Sequence, residues 1–271
     1  MAKYSYTRKG SEHSSGISSI WTHWDLLWSL SFRNLKARYA ATFLGLLWTF
    51  IQPIFNLIIF TLLFGRFIKV DTGDVPYPLF ALTGMAAWGH FSYLVNNGST
   101  ALVEYQNVIT KVAFPKILLP LSKAITANVD LLVMILISYS LMAIFGYFPS
   151  WQILFLPIFL FLSTVIGIGI AFWFSTLSIR YRDLHHTISY FLSLIMWMTP
   201  VAYPASIIPE GFKFIYFLNP VAGLVEGFRW CILGTPIPDW RFIIPIGLMC
   251  LVFIFGLAFF KSSEKRIADY I

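Results

Sequence analysis

Charge is what this sequence has least of. Only 11% of its 271 residues are Asp, Glu, Lys or Arg, and 58% are hydrophobic; an ordinary soluble domain carries roughly a quarter charged residues. The scarcity is concentrated. Residues 131–179, 49 in a row, contain none of the four charged types. A spanning helix needs about 20 apolar residues, so this stretch holds two spans and a turn. Gly146, Tyr147, Phe148 and Pro149 supply the turn. A soluble enzyme is excluded.

Other absences narrow the chemistry. There is no GxxxxGK[ST] phosphate loop, so the chain does not itself bind ATP in the usual way. There is no HExxH and no CxxC pair, which leaves a zinc site without support. His185 and His186 are adjacent, and adjacent side chains on a helix diverge, so they do not share a metal. The two cysteines, Cys231 and Cys250, are far apart in apolar surroundings and read as small buried hydrophobes, not a disulfide. The N-terminus is polar through Ser19, with its first long apolar run near Leu44, which is not the pattern of a secretion signal. The net charge of +7 is assigned to cytoplasmic loops facing anionic lipid, not to nucleic acid.

What is present predicts an all-α integral membrane protein with six transmembrane helices, over residues 44–65, 79–103, 124–146, 153–179, 187–204 and 242–260. Segment 205–235 is apolar but broken by Pro209, Gly211, Pro220 and Gly223, and is read as short re-entrant external helices between the fifth and sixth spans. The chain thus divides into a cytoplasmic N-terminal segment (1–43), a six-span domain (44–260) and a cytoplasmic tail (261–271). Under this topology 14 of the 19 Lys and Arg residues fall on the side of both termini and five on the other, which puts the termini in the cytoplasm. Ahead of the first span, Ile17, Ile20, Trp21, Trp24, Leu27, Trp28 and Leu35 recur at helical spacing, followed by Arg33, Lys36 and Arg38. That pattern predicts an amphipathic helix lying flat at the inner membrane surface.

Asp130 is the one acid inside an expected span. Intramembrane carboxylates are costly, but Lys123 is only about 10 Å away along a helix. The expectation is that Asp130 sits near the inner helix end, satisfied by Lys123 or water.

Four clusters then resemble one family. They are Arg33-Asn34-Leu35-Lys36-Ala37-Arg38-Tyr39 with Leu44-Gly45, Trp48 and Gln52-Pro53; Gly84 and Trp88 with Asn107 to Lys111, Phe114-Pro115-Lys116 and Leu119-Pro120; Arg180-Tyr181-Arg182-Asp183 with Thr199-Pro200-Val201 and Tyr203; and Asn219-Pro220 with Glu226 to Trp230. Their order and placement resemble the permease subunit of the ABC exporters that move O-antigen, capsule or teichoic acid. Asn34 stands where that family commonly has Asp.

The resemblance implies a homodimer in the bacterial cytoplasmic membrane, two copies of a separate ATPase that holds ATP and Mg, and a lipid-linked polysaccharide as substrate. No catalytic residue, metal or cofactor is expected in this chain. It also implies that Glu104, Asn107, Lys111, Phe114, Pro115 and Lys116 form a coupling element for the ATPase, with Pro115 and Pro120 separating it from the next span. Arg180, Arg182 and Asp183 are expected at the same contact. Amphipathic aromatics can stack on sugar rings, so Trp48, Trp88, Tyr93, Tyr190, Trp197 and Tyr203 are the expected channel rail. Asn219, Pro220, Glu226 and Arg229 are expected at an external gate. Glu226 and Arg229 share a helix face there, and exchanging their charges is expected to restore part of the export that each single reversal impairs. The rival readings are a lipid or drug permease of the same architecture, and a membrane enzyme on lipid-linked sugars that uses Asp130 or Glu226.

Overall fold

A computed structural model describes residues 21–39, 45–181, 183–236 and 240–270. Helices dominate, and no strand occurs among the described residues. Among the described residues ten α-helices follow in chain order. They are α1 Trp24–Tyr39, α2 Trp48–Phe60, α3 Tyr77–Glu104, α4 Gln106–Ile109 and α5 Leu118–Phe145, then α6 Leu156–Arg180, α7 Leu184–Met198, α8 Glu210–Phe217, α9 Pro220–Leu233 and α10 Ile243–Tyr270. α2 runs on as a wider π-helical stretch, Thr61–Phe67, and a 3₁₀ turn, Trp151–Phe155, leads into α6.

Four helical stretches among the described residues are long and apolar enough to cross a membrane: Trp48–Phe67, Leu118–Phe145, Trp151–Arg180 and Ile243–Glu264. The two other expected spans differ for separate reasons. α3 has 28 residues but carries His90, Ser92, Asn96, Asn97, Ser99 and Thr100. It can do so because it is the central helix, packed against α5, α6 and α9, with Leu79, Leu82, Leu94 and Leu102 fully buried. The helix expected over 187–204 instead runs from Leu184 to Met198, about 22 Å at 1.5 Å per residue. It stops because Pro200 drives Thr199 out of the helical region, to φ −97° and ψ 142°.

Local chemistry explains the other boundaries. α5 ends at Gly146 and α9 at Gly234, both left-handed (φ 67° and 69°), where glycine carries no Cβ penalty. α9 starts at Pro220, with the Asn219 side chain accepting from the Val221 N–H at 3.0 Å. Pro120, expected to hold a helix off, lies inside α5 at its third residue. A first-turn N–H has no intrahelical partner, so proline costs little there. α10 is one unbroken helix to Tyr270, so the boundary drawn at residue 260 marks no break.

α1 packs on α5 through Leu27, Leu30 and Ser31, which are buried, while Trp21, Trp24, Trp28 and Phe32 stay exposed. Leu27 therefore faces the protein and the tryptophans face away. The expected single apolar face is two faces, one for the protein and one outward. Ile17 and Ile20 lie outside the described residues.

Candidate functional site

An open cleft of about 440 Å³ lies between α2, α3, α5 and α7. It extends from Arg38 and Asp130 to Met196 and Val201. Its lining is unusual for an apolar protein: Thr49, Gln52 and Asn56 on α2, and Ser92, Asn96 and Asn97 on α3. Positions 49, 52 and 56 share one face of α2 by helical spacing, and Gln52 and Asn56 are exposed. Of these residues only Gln52 belongs to a motif singled out from the sequence. A hydroxyl and two amides at i, i+3 and i+7 within an apolar run are the signal that finds Thr49 and Asn56 beside it; no such spacing marks Ser92, Asn96 and Asn97.

The expected channel aromatics separate into two groups. Trp88 and Tyr93 line the cleft, and Trp48 lines a groove beside it with Gln52 and Asn56. Trp88 is buried and tilts against Phe91, 5.5 Å between centroids. Tyr190 and Trp197 are exposed on α7, and the Tyr203 hydroxyl donates to the Trp197 carbonyl at 3.4 Å.

At one end of the cleft an ionic cluster ties α1 to α5. Asp130 accepts from Arg38 at 2.8 Å and from the Tyr39 hydroxyl at 2.5 Å, and the Arg38 guanidinium lies 4.6 Å from the centre of the Tyr93 ring. Asp130 is thus engaged by α1, where Lys123 or water was expected. Lys123, 5% exposed, reaches Glu104 at 2.5 Å and the Asn34 carbonyl oxygen at 3.2 Å. Asp130 and Lys123 lie about 10 Å apart along the helix axis, and each meets an opposite charge on a neighbouring helix instead, Arg38 on α1 and Glu104 on α3. The Arg38–Asp130 pair is partly open to solvent. A double-mutant cycle of Arg38→Ala and Asp130→Ala is expected to give a coupling of about 1 kcal/mol in the unfolding free energy of the purified chain, at the upper end for open pairs. A coupling of zero means that the two helices meet without this pair.

Asn34 stands at the centre of a second network. Its amide donates to Ser122 at 2.9 Å, and its oxygen accepts from Tyr105 at 2.6 Å and from Lys123. Arg33 sits 4.2 Å above the Tyr105 ring. A neutral amide serves both donors here, and Glu104 supplies the charge that Lys123 needs.

The segment after Glu104 holds one helical turn, α4, and then irregular chain to Lys116. Asn107 and Lys111 are exposed, Phe114 is half-buried and Pro115 is buried. Glu104 and Lys116 are engaged within the protein: the Lys116 N–H donates to the Glu264 carboxylate at 3.3 Å and its ammonium to the Glu264 carbonyl at 3.1 Å. Arg180 ends α6 with its guanidinium 5.2 Å from the Tyr181 ring centre, and Asp183 precedes α7, where a carboxylate suits the helix N-terminus. Arg182 lies outside the described residues.

At the opposite end, Arg229 is fully buried and Glu226 is 7% exposed, paired at 3.1 Å. The same guanidinium donates to the carbonyls of Val201 at 2.8 Å and Phe80 at 3.4 Å, and stacks 3.5 Å from the Phe80 ring centre. Asn219 also donates to the Thr199 hydroxyl at 3.0 Å. α9 is thereby fastened to α3 and to the 199–201 turn inside one chain. Among the described residues no cluster of His, Cys, Asp and Glu is placed to hold a metal, and both cysteines are free. Cys231 is buried as expected; Cys250 is exposed.

Residues 25–233 match the ABC-2 type transporter family. The chain belongs to that family. It is 27% identical over 258 residues to an O-antigen export system permease protein, RfbA, of Myxococcus xanthus, covering 94% of this chain and 98% of the relative. A Klebsiella pneumoniae protein of the same name is 27% identical over 249 residues (91% and 95%). A polysialic acid transport protein, KpsM, of Escherichia coli is 21% identical over 241 residues (88% and 93%). The family match covers every element of the cleft, from α1 through α9; α10 lies beyond it.

Proposed function

We propose that this ABC-2 chain is the channel-forming transmembrane subunit of an ATP-driven exporter, moving a lipid-linked cell-surface polysaccharide across the bacterial cytoplasmic membrane. The observation that carries this reading is the polar face of α2 beside the cleft. α2 is the least covered of the four clearly apolar spans, yet Thr49, Gln52 and Asn56 project from it. Such a face is unfavourable against lipid and favourable against water or a hydroxyl-rich polymer. Two copies with these faces opposed enclose one polar passage, and this supports a homodimer. The names of the relatives, O-antigen export permease and polysialic acid transport protein, support a polysaccharide as cargo.

In this reading α2, α3, α5, α6, α7 and α10 are six spans, α7 crossing with the irregular residues 199–204. α8 and α9 are external, and both termini are cytoplasmic. Fourteen basic residues against five support that orientation. ATP and Mg bind a separate ATPase, two copies per dimer, which docks on segment 104–116 and the 180–183 loop. Trp48, Trp88 and Tyr93 line the passage. The test is removal of the chain from its native cell: lipid-linked polymer is expected to accumulate on the cytoplasmic side, with none at the surface. Unchanged surface polymer overturns the proposal.

The coupling role has its own test. Lys116 is committed to Glu264, so reversing it disturbs the fold as well as any ATPase contact. Lys111 is exposed and is the cleaner probe. Lys111→Glu is expected to cut ATP-driven export about tenfold, on the order of 1.4 kcal/mol, with the dimer intact by size-exclusion. Full export by this variant removes Lys111 from the contact.

A further inference from the structure

The net charge of +7 is not spread evenly over the chain. In the six-span reading the outer face carries five acids, Asp71, Asp74, Glu210, Glu226 and Asp239, against five Lys and Arg residues, so the whole excess lies on the cytoplasmic side. Between the two faces the walls of the cleft are bare of charge. Residues 39–65, 75–103 and 184–209, which contain its α2, α3 and α7 walls, include no Asp, Glu, Lys or Arg. Among the described lining residues Arg38 and Asp130 are the charged pair, and they neutralise each other at 2.8 Å. A second copy doubles these walls and adds no unpaired cation.

The same walls are supplied with groups for hydroxyls. Gln52 and Asn56 are exposed, four residues apart on α2, and among the described residues no hydrogen bond engages either amide. The amides of α3 are partly committed: Asn96 accepts from the Ser189 hydroxyl at 2.9 Å, and Asn97 donates to the Tyr93 carbonyl at 3.1 Å. Trp48, 43% exposed, stands four residues before Gln52 and lines one groove with both free amides. The row of ring, amide and amide runs about 12 Å along the helix. A primary amide both donates and accepts, as a sugar hydroxyl does, and an indole stacks on the apolar face of a sugar ring. A polyanion asks for different walls. Pores for anions and phosphates are lined by Arg or Lys, because a carboxylate or phosphate stripped of water needs a charged partner. We propose that the cargo is an uncharged polysaccharide, with no carboxylate or phosphate in its repeat, and that the Trp48–Gln52–Asn56 row of each copy is the strip along which it slides. This rests on the export reading and narrows its cargo.

The experiment takes the polymer that disappears from the surface of cells lacking the chain, collects it from the parent cells, frees it of lipid and passes it over an anion exchanger at pH 7. It is expected to pass unretained. Retention overturns the inference and leaves the export reading standing. If no polymer disappears, the export reading falls and the inference falls with it. In the same cells Gln52→Glu, Gln52→Lys, Asn56→Asp and Asn56→Lys test the strip. Against a neutral polymer a charge of either sign is a misfit. Each variant is expected to cut export about tenfold at equal protein abundance, with the two signs within about threefold of each other at each position. Export about tenfold higher with Lys than with the acid marks a polyanion and overturns the inference. The double variant Gln52→Ala, Asn56→Ala brings no charge into the bilayer and serves where the charged variants lower abundance. It is expected to slow export about tenfold through the loss of two hydrogen-bonding groups. Unchanged export in the double variant removes the strip. Loss of the dimer by size-exclusion in that variant makes the row a contact between copies and overturns the strip as well.

Discussion

Arg229→Leu is expected to remove the folded protein from the membrane, not to open it. The guanidinium is fully buried and holds Glu226, the Val201 carbonyl and the Phe80 carbonyl at once. Truncating one partner of a buried pair costs about 3–5 kcal/mol, because the other charge is stranded. Two carbonyls lose their donor as well. The measurement is the yield of monodisperse protein after gentle solubilisation, where the variant should fall to background. The geometry also changes the outcome expected of a charge exchange. With Glu at 229 and Arg at 226, the new carboxylate faces two carbonyl oxygens and has no proton to give them. The double exchange should therefore be as damaging as Arg229→Glu alone, although simple pairing on a helix face predicts partial recovery. Arg229→Lys keeps the charge and should retain more protein than Arg229→Leu. Equal yields of these two variants overturn the account.

Gly256→Val is expected to separate α6 from α10. A Cβ at Gly256 would stand 2.1 Å from the Gly169 carbonyl oxygen, and one at Gly169 would stand 2.7 Å from the Phe253 Cα. The two backbones touch, in the manner of close membrane helix pairs with small residues at the contact. The obstacle is main chain, which cannot rotate away as a side chain does. A cost of about 3 kcal/mol, the top of the usual overpacking range, is expected, seen as a lowered melting temperature of the purified chain. Gly247→Ala on the same helix is the control, since nothing lies within 4 Å of its Cβ position. Alanine there should be neutral or stabilising by up to about 1 kcal/mol.

Much of the architecture is legible in the residues because a membrane punishes charge and exposed backbone. The uncharged stretch 131–179 does contain two helices and a turn, and Pro209 and Pro220 do divide segment 205–235 into α8 and α9, whereas Gly211 and Gly223, expected to break it, lie inside those helices. The pairing of Glu226 with Arg229 is local, three residues apart on one helix, and periodicity reveals it. Long-range partners are another matter. Asp130 has Lys123 about two turns away on the same face of its own helix, but finds Arg38 and Tyr39 some 90 residues upstream. Helical periodicity orders residues within an element and says nothing about which element lies alongside. The same limit hides the cleft. The polar face of α2 shows in its spacing, but that Asn96 and Asn97 of α3 share a cleft with it appears only when the two helices are side by side. The short α7 has a different cause: hydropathy ran on through Thr199 to Pro204, where the backbone conformation before Pro200 had already ended the helix.

The last helix has a mechanical consequence. α10 is 28 residues without a break, about 42 Å of stiff rod. Near one end Pro245 abuts α9, where a Cβ on Gly223 would lie 2.5 Å from the proline ring. Near the other, Glu264 holds both the backbone and the ammonium of Lys116. One rigid body therefore grips the segment assigned to the motor and the short helices on the far side of the bundle. A rod gripped at two points is a lever: between Pro245 and Glu264 it spans about 28 Å, so a tilt of about 5° displaces one grip by about 2.5 Å relative to the other. A pull at Lys116 would therefore be felt at α9 without any rearrangement of the helices between.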